Sequence, residues 1–66
     1  MIVLLTKHAK ERMAQYAITK EQVKEAIIHG AAVRQTEGYL ASFGYLKVAY
    51  RKIDSETYKI KTVFVG

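Results

Sequence analysis

An imidazole and a guanidinium stand four residues apart near the start of the chain, at His8 and Arg12. On a helix this spacing places both side chains on one face. Because an unperturbed imidazole titrates near about pH 6.5, His8 could act as a general acid or base. Arg12, one turn on, could bind the phosphate at which His8 acts. These groups could cleave RNA without a metal; alternatively, His8 anchors the helix through a hydrogen bond and Arg12 pairs with an acid.

A second group of cations lies toward the end of the sequence. Arg51 and Lys61 could hold a phosphate and stabilise the charge that grows on it when a ribose 2′-oxygen attacks. Lys47, Tyr50 and Lys59 are the further candidates for binding substrate. The alternative is that these cations are solvated and keep an exposed sheet soluble.

Four tyrosines are interleaved with the C-terminal cations, at Tyr39, Tyr45, Tyr50 and Tyr58. Aromatic rings between cations are typical of surfaces that stack the unpaired bases of single-stranded RNA. Ordinary half-buried packing in a sheet is the competing interpretation for each ring.

Composition limits what kind of protein this is. Sixty-six residues with no cysteine form one domain, 1–66, without disulfides or a thiolate metal site. Two histidines, His8 and His29, cannot make a zinc site alone, so we expect neither metal nor cofactor.

The apolar run from Met1 to Leu5 is too short for a signal peptide or a membrane span, which predicts a cytoplasmic protein. A net charge of +5 favours a polyanion or an acidic protein as partner.

The first half of the chain predicts one strand and two helices. Residues 2–5 form a short apolar strand, after which Thr6 can cap a helix over 7–16. Thr19 and Gln22 fit a capping box for a second helix that begins at Lys20. Gly30 is the expected left-handed terminator of that helix.

Beyond Gly30 the hydrophobic pattern alternates, which predicts strands near 32–36, 39–43, 45–52 and 58–65. We summarise the order as β-α-α-β-β-β. Helices followed by hairpin-connected strands indicate an α+β domain, with both helices on one face of a small antiparallel sheet.

Side-chain parity in the last hairpin predicts where the cations point. If strands 45–52 and 58–65 pair so that their apolar sets match, one face carries Leu46, Val48, Tyr50, Tyr58, Ile60, Thr62 and Phe64. The opposite face then carries Lys47, Arg51, Lys59 and Lys61. We therefore predict a basic, exposed sheet surface away from the helices.

The segment from His8 to Met13, HAKERM, together with Ile18, Thr19, Val23 and Gly30, resembles a small uncharacterised bacterial and archaeal domain family with the signature H-A-x-x-R-M. That family is usually grouped with the RelE-like toxins of the barnase, EndoU, colicin and RelE superfold. Tyr50-Arg51 and Thr62-Val63 match its strand motifs. At Tyr16 the chain departs from the family, which commonly has a second arginine there. The resemblance implies an mRNA-cleaving toxin that an antitoxin protein neutralises.

The function predicted from the sequence is a RelE-like, metal-independent endoribonuclease that acts on single-stranded RNA. In this hypothesis Arg51 and Lys61 bind phosphate, and His8 moves protons. Two alternatives stay open. One is a non-catalytic module that binds RNA or an acidic protein, with His8 and Arg12 structural. The other is a homo-oligomeric domain that completes its small core by pairing an exposed strand with its twin.

Overall fold

The computed structural model describes residues 1–66 and contains two helices and five strands. The elements are β1 (Ile2–Leu5), α1 (Lys7–Tyr16), α2 (Lys20–His29), β2 (Ala31–Gln35), β3 (Gly38–Phe43), β4 (Leu46–Lys52) and β5 (Thr57–Val65). The α+β class is confirmed. The predicted order was one strand short, because each of the four alternating runs after the helices forms a strand of its own. Neither helix has the length and apolar character needed to cross a membrane.

The five strands form one sheet in the order β1-β5-β4-β3-β2. Strands β2 to β5 pair as antiparallel neighbours, as predicted. Strand β1 pairs in parallel with β5, from Ile2 opposite Thr57 to Leu5 opposite Ile60. The sheet is therefore mixed rather than antiparallel, because the long connection between β1 and β5 permits a parallel pair.

Both helices begin where the sequence predicts. The Thr6 hydroxyl accepts a hydrogen bond from the Ala9 amide at 3.1 Å, which caps α1. At α2 the Gln22 amide donates to the Thr19 hydroxyl at 3.1 Å, and the Thr19 amide donates to the Gln22 side chain at 2.8 Å. The capping box is confirmed, and it satisfies two amides that the helix itself leaves without partners.

Helix α1 ends at Tyr16, as predicted, but the residue after α2 has a different backbone conformation from the one predicted. Gly30 is extended, with φ −78° and ψ 169°, and the left-handed residue is Ala17 after α1, with φ 55°. The expectation for Gly30 was wrong. Glycine is needed there for space, because a β-carbon would lie 2.6 Å from the Ser42 carbonyl oxygen and would also overlap the Ala26 carbonyl. Gly30 thus lets the end of α2 approach β3 closely.

The hydrophobic core lies on one side of the sheet. Both helices contribute to it, so both pack on the same face, as predicted. The eleven buried residues are Val3, Ala9, Met13, Val23, Ala26, Ala41, Leu46, Val48, Tyr50, Ile60 and Val63.

The other side of the sheet has no element packed on it, and we call it the open face. Strand pairing and alternation assign to it Ile2, Leu4, Val33, Leu40, Ser42, Lys47, Ala49, Arg51, Lys59, Thr62 and Phe64. None of these side chains is buried.

A β-bulge in β5 changes the predicted parity. Ala49 pairs with Thr62 and Tyr50 with Ile60, so Lys61 is an extra residue without a partner in β4. An extra residue reverses the alternation beyond it. Val63 consequently enters the core, where it is 0% exposed, whereas Thr62 and Phe64 point to the open face. The prediction that Thr62 and Phe64 share the helix-facing side with Ile60 was wrong.

Candidate nucleic-acid interface

All charged residues in the strands of the sheet are basic. Its strands contain six basic residues and no acidic one: Arg34, Lys47, Arg51, Lys52, Lys59 and Lys61. All six acidic residues of the chain lie on helices or in turns: Glu11, Glu21, Glu25, Glu37, Asp54 and Glu56. The strands therefore carry positive charge with no negative charge beside it, whereas the five basic residues of the helices lie among three acidic ones. A surface of one sign attracts a polyanion.

Three of these cations share the open face. Arg51 and Lys59 are direct cross-strand partners, and Lys47 lies opposite Phe64 on the same ladder. Directly opposed residues have β-carbons only about 5 Å apart, and two like charges so placed repel each other. The one ion pair of the protein, Lys24 with Glu21 at 4.0 Å, lies on α2. No carboxylate neutralises the open-face cations. A bound anion would therefore reduce the repulsion between Arg51 and Lys59.

Lys61 occupies the bulge and reaches away from its own strand. Its ammonium donates a hydrogen bond to the carbonyl oxygen of Glu37, in the turn between β2 and β3. The two residues belong to a shallow hollow with no hydrophobic lining, formed by Arg34, Gln35, Thr36, Glu37 and Lys61. Because an ammonium carries three N–H donors, Lys61 retains two for an anion in this hollow.

Gly38 leaves room beside Arg51. It has φ +144°, and a β-carbon there would overlap the Tyr50 carbonyl oxygen and lie 3.5 Å from the Arg51 Cα. No side chain therefore separates Arg51 from the turn that contains Glu37. Arg51 and Lys61, which the sequence predicts to bind phosphate, and Lys59, a predicted substrate-binding residue, lie together at this end of the sheet.

His8 and Arg12 lie on the other side of the sheet from Arg51. His8 is exposed in the first turn of α1, and the half-buried Arg12 donates to the Tyr16 hydroxyl at 3.4 Å. Neither residue lines a hollow of the protein. Tyr16, where the resemblance leads us to expect a second arginine, thus serves as the hydrogen-bond partner of Arg12.

Helix α1 nevertheless begins at the bulge. The Thr6 hydroxyl donates to the Ile60 carbonyl at 2.9 Å and to the Lys61 carbonyl at 3.1 Å. His8 lies two residues after Thr6, but no hydrogen bond joins His8 to Arg51 or Lys61. The predicted catalytic residues do not form one hydrogen-bonded cluster.

Tyr50 does not lie with the cations. It is 6% exposed on the helix side, where its ring stacks on Tyr39 at 5.5 Å and meets the edge of Tyr58 at 5.7 Å. Burial raises the pKa of the Tyr50 hydroxyl, and the neighbouring Tyr58 and Tyr39 raise it further. The sequence named Tyr50 as a candidate for binding substrate, and its ring lies on the core side, where alternation predicts it, away from the open-face cations.

Phe64 is the residue that sequence reasoning missed. The bulge turns it to the open face, where it is 37% exposed opposite Lys47. Strict alternation cannot predict this position. A signal was present, because two polar residues in succession, Lys61 and Thr62, precede the apolar run that begins at Val63.

A family model matches residues 5–65, and the family is described as a domain of unknown function (DUF4258). The match extends from the end of β1 to the end of β5, so the chain belongs to this family. No curated protein and no solved structure matches the chain.

Proposed function

We propose that this member of the DUF4258 family binds single-stranded RNA on its open face and cleaves it there without a metal, as a RelE-like toxin would. The observation that carries the proposal is the set of unpaired cations on one uncovered surface of a sheet without acidic residues. A flat, open sheet suits a single strand whose phosphates and bases are both accessible. The RelE-like lineage adds an antitoxin protein as a proposed partner.

Arg51 is the central residue of the proposed site. Its planar guanidinium can bind two non-bridging oxygens of one phosphate, and Lys59 opposite it supplies a second positive charge. Lys61 and Lys47 extend the cationic surface in one direction along the two strands, with Lys61 nearer to the Arg51–Lys59 pair and Lys47 farther from it. Groups fixed on a sheet hold such positions more precisely than groups on loops, which favours transition-state stabilisation.

In the proposed reaction a ribose 2′-oxygen attacks the adjacent phosphorus, and the bond from phosphorus to the next 5′-oxygen breaks. The products are a 2′,3′-cyclic phosphate and a free 5′-hydroxyl. Water accepts the proton of the 2′-hydroxyl and supplies the proton that the departing oxygen takes. Arg51 and Lys59 stabilise the negative charge that accumulates on the phosphate oxygens as the attack proceeds.

A specific observation favours a second candidate, a module that binds RNA without cleaving it. No imidazole or carboxylate belongs to the open face, and His8 lies on the helix side. A site that lacks a general acid and base loses a factor of about 10² to 10⁴ in rate. Binding would then be the whole function, and His8 with Arg12 would be structural.

The test is incubation of the purified protein with end-labelled single-stranded RNA in excess chelator. We expect cleavage to products that end in a cyclic phosphate, and loss of cleavage in Arg51→Ala. Lys52→Ala is the matched control, because it removes the adjacent cation from the helix side of the same strand. Binding without cleavage by the wild-type protein would establish the second candidate, and absence of binding would exclude both.

His8→Ala is the companion variant. Because His8 lies on the helix side, we expect the His8→Ala variant to cleave RNA at a rate within about twofold of the wild-type rate. Removal of a general base that takes part in the reaction would instead lower the rate at least about 10²-fold. A larger loss would show that bound RNA passes around the edge of β5 at the bulge and reaches α1.

A further inference from the structure

We infer that Phe64 forms a nucleobase-binding patch on the open face, where its ring stacks on an unpaired base of the bound RNA. The inference rests on the proposed function, because it assigns the base-reading part of the same surface. Phe64 is the one aromatic residue of the sheet that points to the open face; the three strand tyrosines and Phe43 point to the helix side.

The surroundings of Phe64 suit a flat ligand. At the same level of the sheet, Phe64 pairs with Lys47, and Lys47 pairs with Ser42 on the next strand. The next residue pair on the same face is Thr62 with Ala49, two residues along each strand. The small methyl group of Ala49 leaves space above the sheet there. The aromatic ring of Phe64 thus lies beside the Lys47 cation, with the Ser42 hydroxyl on the next strand and the small Ala49 in the neighbouring row.

Each part has a role in holding a base. Aromatic stacking contributes to the binding of unpaired bases whatever their sequence, and purines offer the larger π-surface. Lys47 can neutralise a phosphate next to the stacked base, and the Ser42 hydroxyl can donate to or accept from the base edge. Arg51 lies four residues from Lys47 on β4, about 13 Å away at the rise of a strand, which separates the base patch from the Arg51–Lys59 pair by roughly two nucleotides.

The bulge at Lys61 produces this arrangement. With regular alternation Phe64 would point toward the helices and Val63 toward solvent; the extra residue exchanges them. The core gains a β-branched residue that fits it fully, while an aromatic ring is left 37% exposed among cations. The ring is therefore accessible to a ligand on the open face.

The test uses tryptophan fluorescence, because the chain contains no tryptophan. Phe64→Trp places a single indole at the patch, and Phe43→Trp places one at a residue of similar exposure, 41%, on the other side of the sheet. We expect oligoadenylate to quench the indole at 64 and to leave the one at 43 unchanged. An abasic oligonucleotide of equal length should quench neither.

Affinity measurements on Phe64→Leu complete the test, because leucine keeps the apolar volume but removes the ring. We expect binding of oligoadenylate to weaken roughly 5- to 100-fold, from the usual worth of one stacked base. Binding of the abasic oligonucleotide should change less than about twofold. Phe64→Trp should retain wild-type affinity for oligoadenylate.

The outcomes separate this inference from the proposed function. If oligoadenylate binds, loses affinity in Arg51→Ala and is indifferent to Phe64→Leu, the base patch is wrong and the phosphate site stands. If equal affinity is lost for abasic and adenylate strands in Phe64→Leu, the ring serves folding rather than stacking. If neither strand binds the wild-type protein, the proposed function itself fails.

Discussion

Arg51 and Lys59 face each other across the β4–β5 ladder, and neither has a carboxylate partner. Two opposed cations on neighbouring strands destabilise a sheet slightly. An anion bound between Arg51 and Lys59 would relieve their repulsion. Relief of this repulsion would add to the free energy of binding. Two cations at this spacing match the non-bridging oxygens of a single phosphate.

The first prediction compares two adjacent residues of β4 that point to opposite faces. Arg51→Ala should weaken binding of single-stranded RNA and reduce the slope of log affinity against log salt by about 0.7, the value of one phosphate contact. Lys52→Ala should leave that slope unchanged, because Lys52 lies 5.7 Å from the Tyr58 ring on the helix side. Titrations at four salt concentrations measure both. Equal changes in the two variants would indicate attraction by net charge alone.

The second prediction concerns the hollow at the β2–β3 turn. Lys61→Met keeps most of the side-chain volume but removes the ammonium that donates to the Glu37 carbonyl. We expect the slope of log affinity against log salt to be smaller by about 0.7 in Lys61→Met than in the wild-type protein, because one phosphate contact is lost. Glu37→Gln keeps the carbonyl and removes a negative charge from the lining of the hollow. It should tighten RNA binding, and weaker binding in Glu37→Gln would contradict an anion site there.

The sequence predicted much of this architecture because local chemistry determines it. The caps at Thr6 and Thr19 depend only on residues within one helical turn, and the alternation of Leu46, Val48 and Tyr50 depends on burial of one face. These features need no knowledge of distant contacts. They placed Lys47, Arg51 and Lys59 on one surface correctly.

The features that the sequence did not predict depend on distant parts of the chain. Strand β1 joins the edge of β5, more than fifty residues away, so its parallel direction has no local signal. The bulge at Lys61 arises because Val63 fits opposite Val48 in the core. Likewise, Gly30 is determined by the approach of Ser42 rather than by a left-handed backbone. The bulge is why Phe64 was assigned to the helix-facing side, whereas the core-side position of Tyr50 follows from local alternation.

The third prediction compares the two helix caps. Thr19→Ala should reduce the free energy of unfolding by about 1 kcal/mol, the usual cost of losing an N-cap. Thr6→Ala should cost about 2 kcal/mol, because Thr6 also donates to the carbonyl oxygens of Ile60 and Lys61. Urea denaturation measures both values, and Thr6→Ser should restore most of the loss. If both alanine variants lose equal stability, the hydroxyl does not anchor α1 to the bulge.

The last prediction is the pH dependence that follows from Tyr50. Burial, with Tyr58 and Tyr39 nearby, raises the pKa of its hydroxyl above the ordinary value of 10.0. The folded protein therefore holds this proton more tightly than the unfolded chain does. The resulting stability is fully present below about pH 10 and decreases as the pH rises through the folded-state pKa. Tyr50→Phe has no proton to lose, so its stability should decline less steeply between about pH 9 and 11.

Urea denaturation at intervals of half a pH unit gives the two curves, and their difference removes the contribution of the lysines that both proteins share. Phenylalanine preserves the stacked ring, so the two proteins should have similar stability at neutral pH. Tyr45→Phe is the matched control, because Tyr45 is 73% exposed in the turn after β3 and should keep the wild-type curve. Parallel curves for wild type and Tyr50→Phe would mean that the Tyr50 hydroxyl reaches water as freely in the folded protein as in the unfolded chain. The Tyr50 side chain would then be more accessible to water than its 6% exposure implies.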